Sequence, residues 1–214
     1  MKTKAIAVTM TLLFSLILSF TIVAEALEIS YDDGQANAAL RIGDPYKVGI
    51  MFKDLPYSQN LINTISIRVY YEDQQVQRQQ LEMYFLDSSF QSIHDTIFTP
   101  ILQAGWNNID VSNLNIVSQG SFLIGLHWSQ EDGTYPGNVY LGFDTDSSAN
   151  LDHSYDYNTG KWQDPFWGSP ANPGGGVGIW MIRADVSAVP LPPTVLLLGS
   201  SLLGLAGWRR FRKG

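Results

Sequence analysis

The sequence contains no cysteine. Without thiols the chain can form neither disulfides nor thiolate zinc or iron–sulfur sites, and it has no cysteine nucleophile. Three common site motifs are also missing: the Gly-x-Ser-x-Gly elbow, the His-Glu-x-x-His zinc helix, and a glycine-rich phosphate loop between a strand and a helix. The fold must therefore depend on its apolar core, and the usual enzyme signatures give no support for catalysis.

Basic residues are scarce in the middle of the chain. Residues 27–188 hold seven lysines and arginines against nineteen aspartates and glutamates, a net charge of about −12. Such a surface repels nucleic acid and anionic lipid. We therefore expect no nucleic-acid partner, whereas the same acidic surface favours solubility outside the cell and attracts divalent cations.

The N-terminus has the pattern of a targeting segment. Lys2 and Lys4 precede an apolar run from Ala5 to Val23, and Ala24-Glu25-Ala26 forms a small-x-small cleavage site. This pattern predicts a secretory signal peptide over residues 1–26. Because the apolar run is long for a signal peptide, an uncleaved membrane anchor is the alternative.

The C-terminal segment, residues 189–214, combines prolines, an uncharged run and a basic end. Thr194 to Trp208 carries no charge. With the neutral flank from Val189, the run approaches the roughly 17 to 20 residues that a membrane-spanning helix needs. The basic end predicts that the C-terminus stays in the cytoplasm. We predict a transmembrane helix here, with a buried C-terminal helix of a soluble domain as the alternative.

The order of these C-terminal features resembles the PEP-CTERM sorting signal of Gram-negative envelopes. The usual Pro-Glu-Pro is replaced by a Val-Pro-Leu-Pro variant, and the motif residues are Pro190, Leu191, Pro192, Arg209, Arg210 and Arg212. The resemblance implies an exosortase-type processing enzyme as partner, attachment to the membrane through the C-terminal helix, and delivery to the cell surface or an exopolysaccharide matrix. It covers the tail alone and says nothing about what residues 27–188 do.

Residues 27–188 have the pattern of an all-β domain. Ile65, Ile67 and Val69 alternate with polar residues, and similar alternation occurs over residues 81–85, 122–128 and 139–143. A period of two is typical of half-buried strands, and no segment shows sustained helical spacing. Glycine, proline, asparagine and aspartate clusters separate the runs. We predict a single β-sandwich with jelly-roll-like topology over residues 27–188.

Oxygen-bearing side chains cluster after the predicted strand at residues 139–143. The candidate calcium ligands are Asp144, Asp146, Asn150 and Asp152, with Asp32 and Asp33 as additional ligands if the fold brings them close. Calcium takes six to eight oxygens from carboxylates, amides and carbonyls. The alternative is that these residues only form turns.

Aromatic residues cluster just beyond. The candidate glycan-binding residues are Tyr155, Tyr157, Trp162, Asp164 and Trp167. A pyranose presents a C–H face that packs on aromatic rings and a hydroxyl rim that bonds to polar side chains. The pattern therefore predicts contact with extracellular polysaccharide. The alternative is that these rings only cap the core of a domain without disulfides.

The remaining titratable residues give weak support for an enzyme. Glu82 and Glu131 are the candidate catalytic residues of a polysaccharide hydrolase. Such an enzyme needs two carboxylates at a set distance in the fold, and a sequence does not show that distance. His127 lies on the polar side of its predicted strand, as a solvated residue would. We expect a non-enzymatic protein of the cell surface or matrix; a small hydrolase and a purely structural or adhesive coat protein are the alternatives.

Overall fold

The computed structural model describes most of the predicted β domain, namely residues 25–41, 47–71, 80–98, 101–129, 139–146, 153–158, 160–163 and 178–189. The predicted signal peptide and sorting tail therefore lie outside the described residues, apart from their inner ends at residues 25–26 and 189. Within the ranges given above, no helix has the length and apolarity that crossing a membrane requires.

Strands dominate the described residues, as the alternation predicts. They are β1 (Leu27–Ile29), β2 (Ala38–Arg41), β3 (Lys47–Phe52), β4 (Asn60–Tyr71), β5 (Gln80–Asp87), β6 (Ser92–Phe98), β7 (Gly105–Asp110), β8 (Val117–Ser118), β9 (Phe122–Ser129), β10 (Val139–Asp144), β11 (Ser154–Asn158), β12 (Lys161–Gln163), β13 (Ile179–Trp180) and β14 (Ile182–Ala188). A 3-10 turn, Ser112–Leu114, lies between β7 and β8.

The strands form two antiparallel sheets in a sandwich-like arrangement. In the eight-stranded sheet, the long strand β4 pairs with β14 and β10 along one edge and with β7 and β8 along the other. β1 extends this sheet beside β14, and β2 and β13 pair with β10. The six-stranded sheet has the order β12-β11-β3-β9-β5-β6.

The alternation seen in the sequence determines which side chains face the core. Ile65, Ile67 and Val69 of β4 are fully buried, and Met83 and Phe85 of β5 are buried in the same cluster. β-branched residues favour extended backbone because their χ1 freedom is already restricted. Each such side chain contributes about 1.5–3 kcal/mol when it is fully removed from water. The prediction of an all-β, sandwich-like fold is confirmed; the jelly-roll connectivity stays a prediction.

Polar links join the two sheets at one end of the core. Trp180 lies in the core with its ring centroid 4.7 Å from that of Phe143. Its backbone N–H donates to Ser154 Oγ (3.2 Å), and its indole N–H donates to Asp156 Oδ1 (3.3 Å). Both acceptors lie on β11 of the six-stranded sheet and are buried. Asp156 therefore points inward, away from the tyrosines that flank it in sequence.

Four strands were not predicted from the sequence, namely β2, β6, β8 and β12. β2 and β6 are short or polar, and β6 pairs with a neighbour along one edge only. An edge strand is covered on fewer sides than a central one, so its sequence needs less apolar alternation. The pattern that identifies β4, β5 and β9 is correspondingly weak in β6.

Candidate functional site

The outer face of the six-stranded sheet carries the predicted aromatic residues that the structure describes. Val48, Ile50 and Phe52 of β3 point into the core, so the alternate residues of that strand point outward. The same alternation places Tyr155 and Tyr157 of β11 on the outer face. We call the rings that gather there the aromatic face; its members are Tyr84, Phe90, Tyr155, Tyr157 and Trp162.

The aromatic face covers a small apolar cluster of its own. Met51, Leu86 and Leu123 form this cluster outside the main core and are only 3%, 6% and 0% exposed. Tyr155 and Trp162 are among the partly buried rings that pack against it. These rings therefore cap apolar side chains yet remain partly open to solvent, and their contact with glycan stays a prediction.

The indole of Trp162 packs against the backbone at Gly125. Gly49 and Gly125 are paired across β3 and β9, and a Cβ atom on Gly125 would lie 2.6 Å from Cζ2 of Trp162. In the sheet order β11 and β3 separate β12, which carries Trp162, from β9. The hairpin formed by β11 and β12 must therefore curl over the outer face. Tyr157 supports the indole edge-on, with ring centroids 5.4 Å apart.

A turn holds the opposite side of the aromatic face. Phe90 has a φ of 60°, in the left-handed region that bulky residues rarely occupy. Asp87 maintains this conformation, because its Oδ1 accepts the N–H groups of Ser89 (2.8 Å) and Gln91 (3.0 Å). The Phe90 ring then lies 5.5 Å from that of Tyr155. Backbone strain of this kind persists only where the surrounding structure enforces it.

Four polar side chains from three neighbouring strands adjoin the rings; we call Lys47, Glu82, Tyr84 and His127 the polar end. Lys47 Nζ donates to the Tyr84 hydroxyl (2.5 Å) and lies 3.8 Å from the centre of that ring. The hydroxyl in turn donates to Glu82 Oε2. Glu82 and His127 are cross-strand partners, and Nδ1 of His127 lies 3.4 Å from the same Oε2.

These contacts determine the ionisation of the polar end. Burial alone would raise the pKa of Glu82, but the hydrogen bonds with Tyr84 and His127, together with the positive charge of Lys47, lower it below its ordinary value. Burial and the adjacent carboxylate raise the pKa of the Tyr84 hydroxyl strongly. Glu82 is therefore a carboxylate at neutral pH, and Tyr84 remains a neutral donor.

His127 differs from its prediction as a solvated residue. Its side chain is only 13% exposed, and Nε2 is buried without a hydrogen-bond partner in the part of the chain that the structure describes. The prediction failed because it could not include the contact between His127 and Glu82. These residues are 45 positions apart in sequence, so the local pattern around His127 does not show the contact. Lys47, Tyr84 and Phe90 were also missed. Alternation along β5 could have placed Tyr84 beside Glu82, but nothing local identifies the other two.

The predicted calcium ligands meet in part. Carboxylate oxygens of Asp33, Asp144 and Asp146 all lie within 4.8 Å of one another. Asp144 is fully buried and accepts the backbone N–H groups of Asp33 (3.0 Å) and Asp146 (3.1 Å). Hydrogen bonding to Asp144 raises the pKa of Asp146, and the negative charges of Asp144 and Asp33 act in the same direction. Hard carboxylate oxygens gathered in this way fit a calcium ion.

Other predicted site residues are placed differently or are not described. Asp32 is engaged by Arg183, whose Nη2 and Nε lie 2.6 and 3.2 Å from its two oxygens, so it is no free ligand. The remaining predicted residues lie outside the described ranges: Asn150, Asp152, Asp164, Trp167, Glu131 and the sorting residues from Pro190 to Arg212.

Comparison with known proteins yields likeness in fold only. No family model and no curated protein matches the chain. Among solved structures, the clostridial cysteine protease Cwp84 after propeptide cleavage matches with a TM-score of 0.52 and 14% identity, over 77% of this chain and 40% of that one. A structure of the cysteine protease and lectin-like domains of Cwp84, a surface layer associated protein of Clostridium difficile, gives a TM-score of 0.44 and 14% identity, over 67% and 32% of the two chains. The chain thus spans less than half of the first protein it resembles.

Proposed function

We propose that this chain is an exported, non-enzymatic protein of the cell surface or extracellular matrix, and that its aromatic face binds polysaccharide. The observation that carries the proposal is the set of partly exposed rings of Tyr155, Tyr157 and Trp162 on one outer sheet face. Rings of this kind take the C–H face of a pyranose, and the carboxylate, hydroxyl and ammonium beside them suit its hydroxyl rim. The sandwich-like fold, with jelly-roll connectivity as its expected form, supplies a stable support.

The targeting pattern supports the location. A signal peptide over residues 1–26 would export the chain, and the PEP-CTERM-like tail over residues 189–214 would hold it in the membrane until an exosortase-type enzyme releases it to the surface or matrix of a Gram-negative bacterium. Replacing Pro190 and Pro192 by alanine should leave the protein in the membrane fraction. Unchanged release of the variant to the surface would rule out this sorting motif.

Glu82 is better suited to binding than to the general-acid role of a glycosidase. The general acid of a glycosidase needs a raised pKa so that it is protonated when the bond breaks. The pKa of Glu82 is lowered instead. We therefore favour a binding role over the hydrolase alternative. Release of reducing sugar from the producer's polysaccharide, abolished by Glu82→Gln, would reverse this preference.

The binding proposal can be tested with the producer's own extracellular polysaccharide in affinity electrophoresis. Trp162→Ala should weaken retention about tenfold, because it removes a ring from the contact surface. Trp106→Ala is the matched control: Trp106 lies under Arg183, its ring 4.1 Å from the guanidinium carbon, on the outer face of the other sheet. Equal retention of all three proteins would exclude Trp162 from the contact surface, and no retention of the wild type would favour a structural coat protein.

Calcium is the cofactor that we propose for Asp33, Asp144 and Asp146. The three carboxylates supply part of the ligand set, and Asn150 and Asp152 are the sequence candidates for the rest. Bound calcium would tie the N-terminal segment to the end of β10.

A further inference from the structure

We infer that the polar end of the aromatic face is a specificity subsite for a neutral sugar unit, whose adjacent hydroxyl groups it binds through Glu82 and Lys47. The inference rests on the proposed function and goes beyond it by assigning the residues that select the sugar and the charge class of the polysaccharide.

The polar end is built by the central strands of the sheet rather than by loops. Lys47 lies at the start of β3, His127 on β9, and Glu82 and Tyr84 on β5, three consecutive strands in the sheet order. Side chains two residues apart on β5 point to the same face. Groups held by paired strands are more accurately positioned than groups on loops, as a site that reads hydroxyl positions requires.

Two of the four side chains, Glu82 and Lys47, still have hydrogen-bonding capacity available for a ligand. Both contacts to Glu82, from the Tyr84 hydroxyl and from His127, reach the same oxygen, Oε2. Among the described residues, no hydrogen bond reaches the other oxygen, Oε1. Lys47 uses one of its three N–H donors on Tyr84. An acceptor at Glu82 and a donor at Lys47 therefore both adjoin the Tyr84 hydroxyl.

The polar end adjoins the surface on which a sugar ring would stack. Lys47 Nζ lies 5.3 Å from the centre of the Tyr157 ring, and Tyr157 contacts Trp162. A pyranose packed on these rings would present its hydroxyl rim to Lys47 and Glu82. A carboxylate acceptor and an ammonium donor make charge-assisted hydrogen bonds to hydroxyls, which are stronger than those between neutral groups.

Electrostatics select a neutral sugar. Glu82 stays ionised because its pKa is lowered, and it offsets the charge of Lys47. An added uronate or sulfate would therefore meet the Glu82 carboxylate on a domain whose net charge is about −12 between residues 27 and 188. Repulsion of this kind disfavours acidic polysaccharide. His127 acts as a positioning residue, since its Nδ1 contacts Glu82 while its Nε2 is buried.

The test uses the full exported protein and the producer's extracellular polysaccharide, separated by anion exchange into neutral and acidic fractions. Affinity electrophoresis should show wild-type retention by the neutral fraction. Glu82→Gln and Lys47→Met should each weaken it about tenfold or more, as expected for loss of a charge-assisted hydrogen bond. Glu28→Gln is the matched control, a glutamate on β1 of the other sheet that pairs with Arg183.

The possible outcomes separate this inference from the proposed function. Retention that falls in Trp162→Ala but stays at the wild-type level in both Glu82→Gln and Lys47→Met would overturn the subsite and leave the aromatic face as the binding surface. Preference of the wild type for the acidic fraction would overturn the charge argument. Absence of retention by either fraction would overturn the proposed function and the subsite together. Melting curves of each variant confirm that the differences do not come from unfolding.

Discussion

Two surface carboxylates show how single residues respond to their surroundings. Burial, and then repulsion by Glu28, raises the pKa of Asp185 on β14. Hydrogen bonds from the side chain and backbone of Ser112 lower the pKa of Asp110 at the end of β7. The effect on Asp185 is not visible in the sequence, because Glu28 and Asp185 become neighbours only when β1 pairs with β14.

The two carboxylates should therefore contribute to stability with opposite signs. A raised pKa means that ionisation costs more in the folded state, so this part of the stability is lost as pH rises above 3.8 through the folded value. Asp185→Asn should raise the melting temperature at pH 7 and change nothing near pH 3.

The lowered pKa of Asp110 has the opposite effect on stability. Its stabilising contribution is present above pH 3.8, the ordinary pKa, and is lost as the pH falls through the pKa of the folded state. Asp110→Asn should lower the melting temperature at pH 7 and have less effect near pH 2. Thermal melts of both variants at pH 7, 3 and 2 provide the measurement. Shifts of the same sign at pH 7 would contradict this account.

At the scale of elements, the β11–β12 hairpin depends on Gly125. An alanine there would place its Cβ against the far edge of the Trp162 ring, while the other near contact, Tyr84 Cβ, stays at 3.4 Å. Gly125→Ala should displace the indole, change its fluorescence and weaken polysaccharide retention without disrupting the sheet. Gly142→Ala is the control, because its Cβ would also meet mainly side-chain atoms, with Met181 Sδ at 2.9 Å, but on the other sheet. Unchanged fluorescence and retention in Gly125→Ala would mean that the position of the ring is unimportant.

The elements were predictable where alternation is regular and central. β4, β5 and β9 follow the sequence pattern because each is paired along both edges and covered on one face by the core. The outer face was not predictable. Leu123 occupies a position that alternation assigns to solvent, yet it is buried. Its cover comes from Phe90 and from the curled hairpin, and such contacts between distant segments leave no periodic signal.

At the scale of the whole molecule, bound calcium should link two segments that are distant in sequence, the one around Asp33 and the end of β10. Asp144 and Asp146 are close in sequence, but Asp33 joins them only because β2 pairs with β10, which places Ala38 opposite Phe143. The sequence could therefore predict Asp144 and Asp146 as ligands. It could predict Asp33 only on the condition that the fold brings the N-terminal segment close to them.

If calcium binds, chelator should lower the melting temperature by several degrees, since ligand at about 100 times its Kd adds about 2.7 kcal/mol and each kcal/mol shifts a domain of this size by about 2–4 °C. Asp146→Asn should remove the difference, whereas Asp95→Asn should retain it. Identical melting curves of the wild type with and without chelator would exclude the proposed calcium site.

The pairing of β14 also has a mechanical consequence. β14 is held by seven residue pairs to β4 and by three to β1, and its last residue, Ala188, leads directly into the predicted tail. A protein attached through that tail and pulled by a polymer bound at the other sheet would load β14 along its own length. All its hydrogen bonds to β4 and β1 would then be sheared together rather than unzipped one after another, so the predicted attachment point would coincide with a strand suited to resist tension.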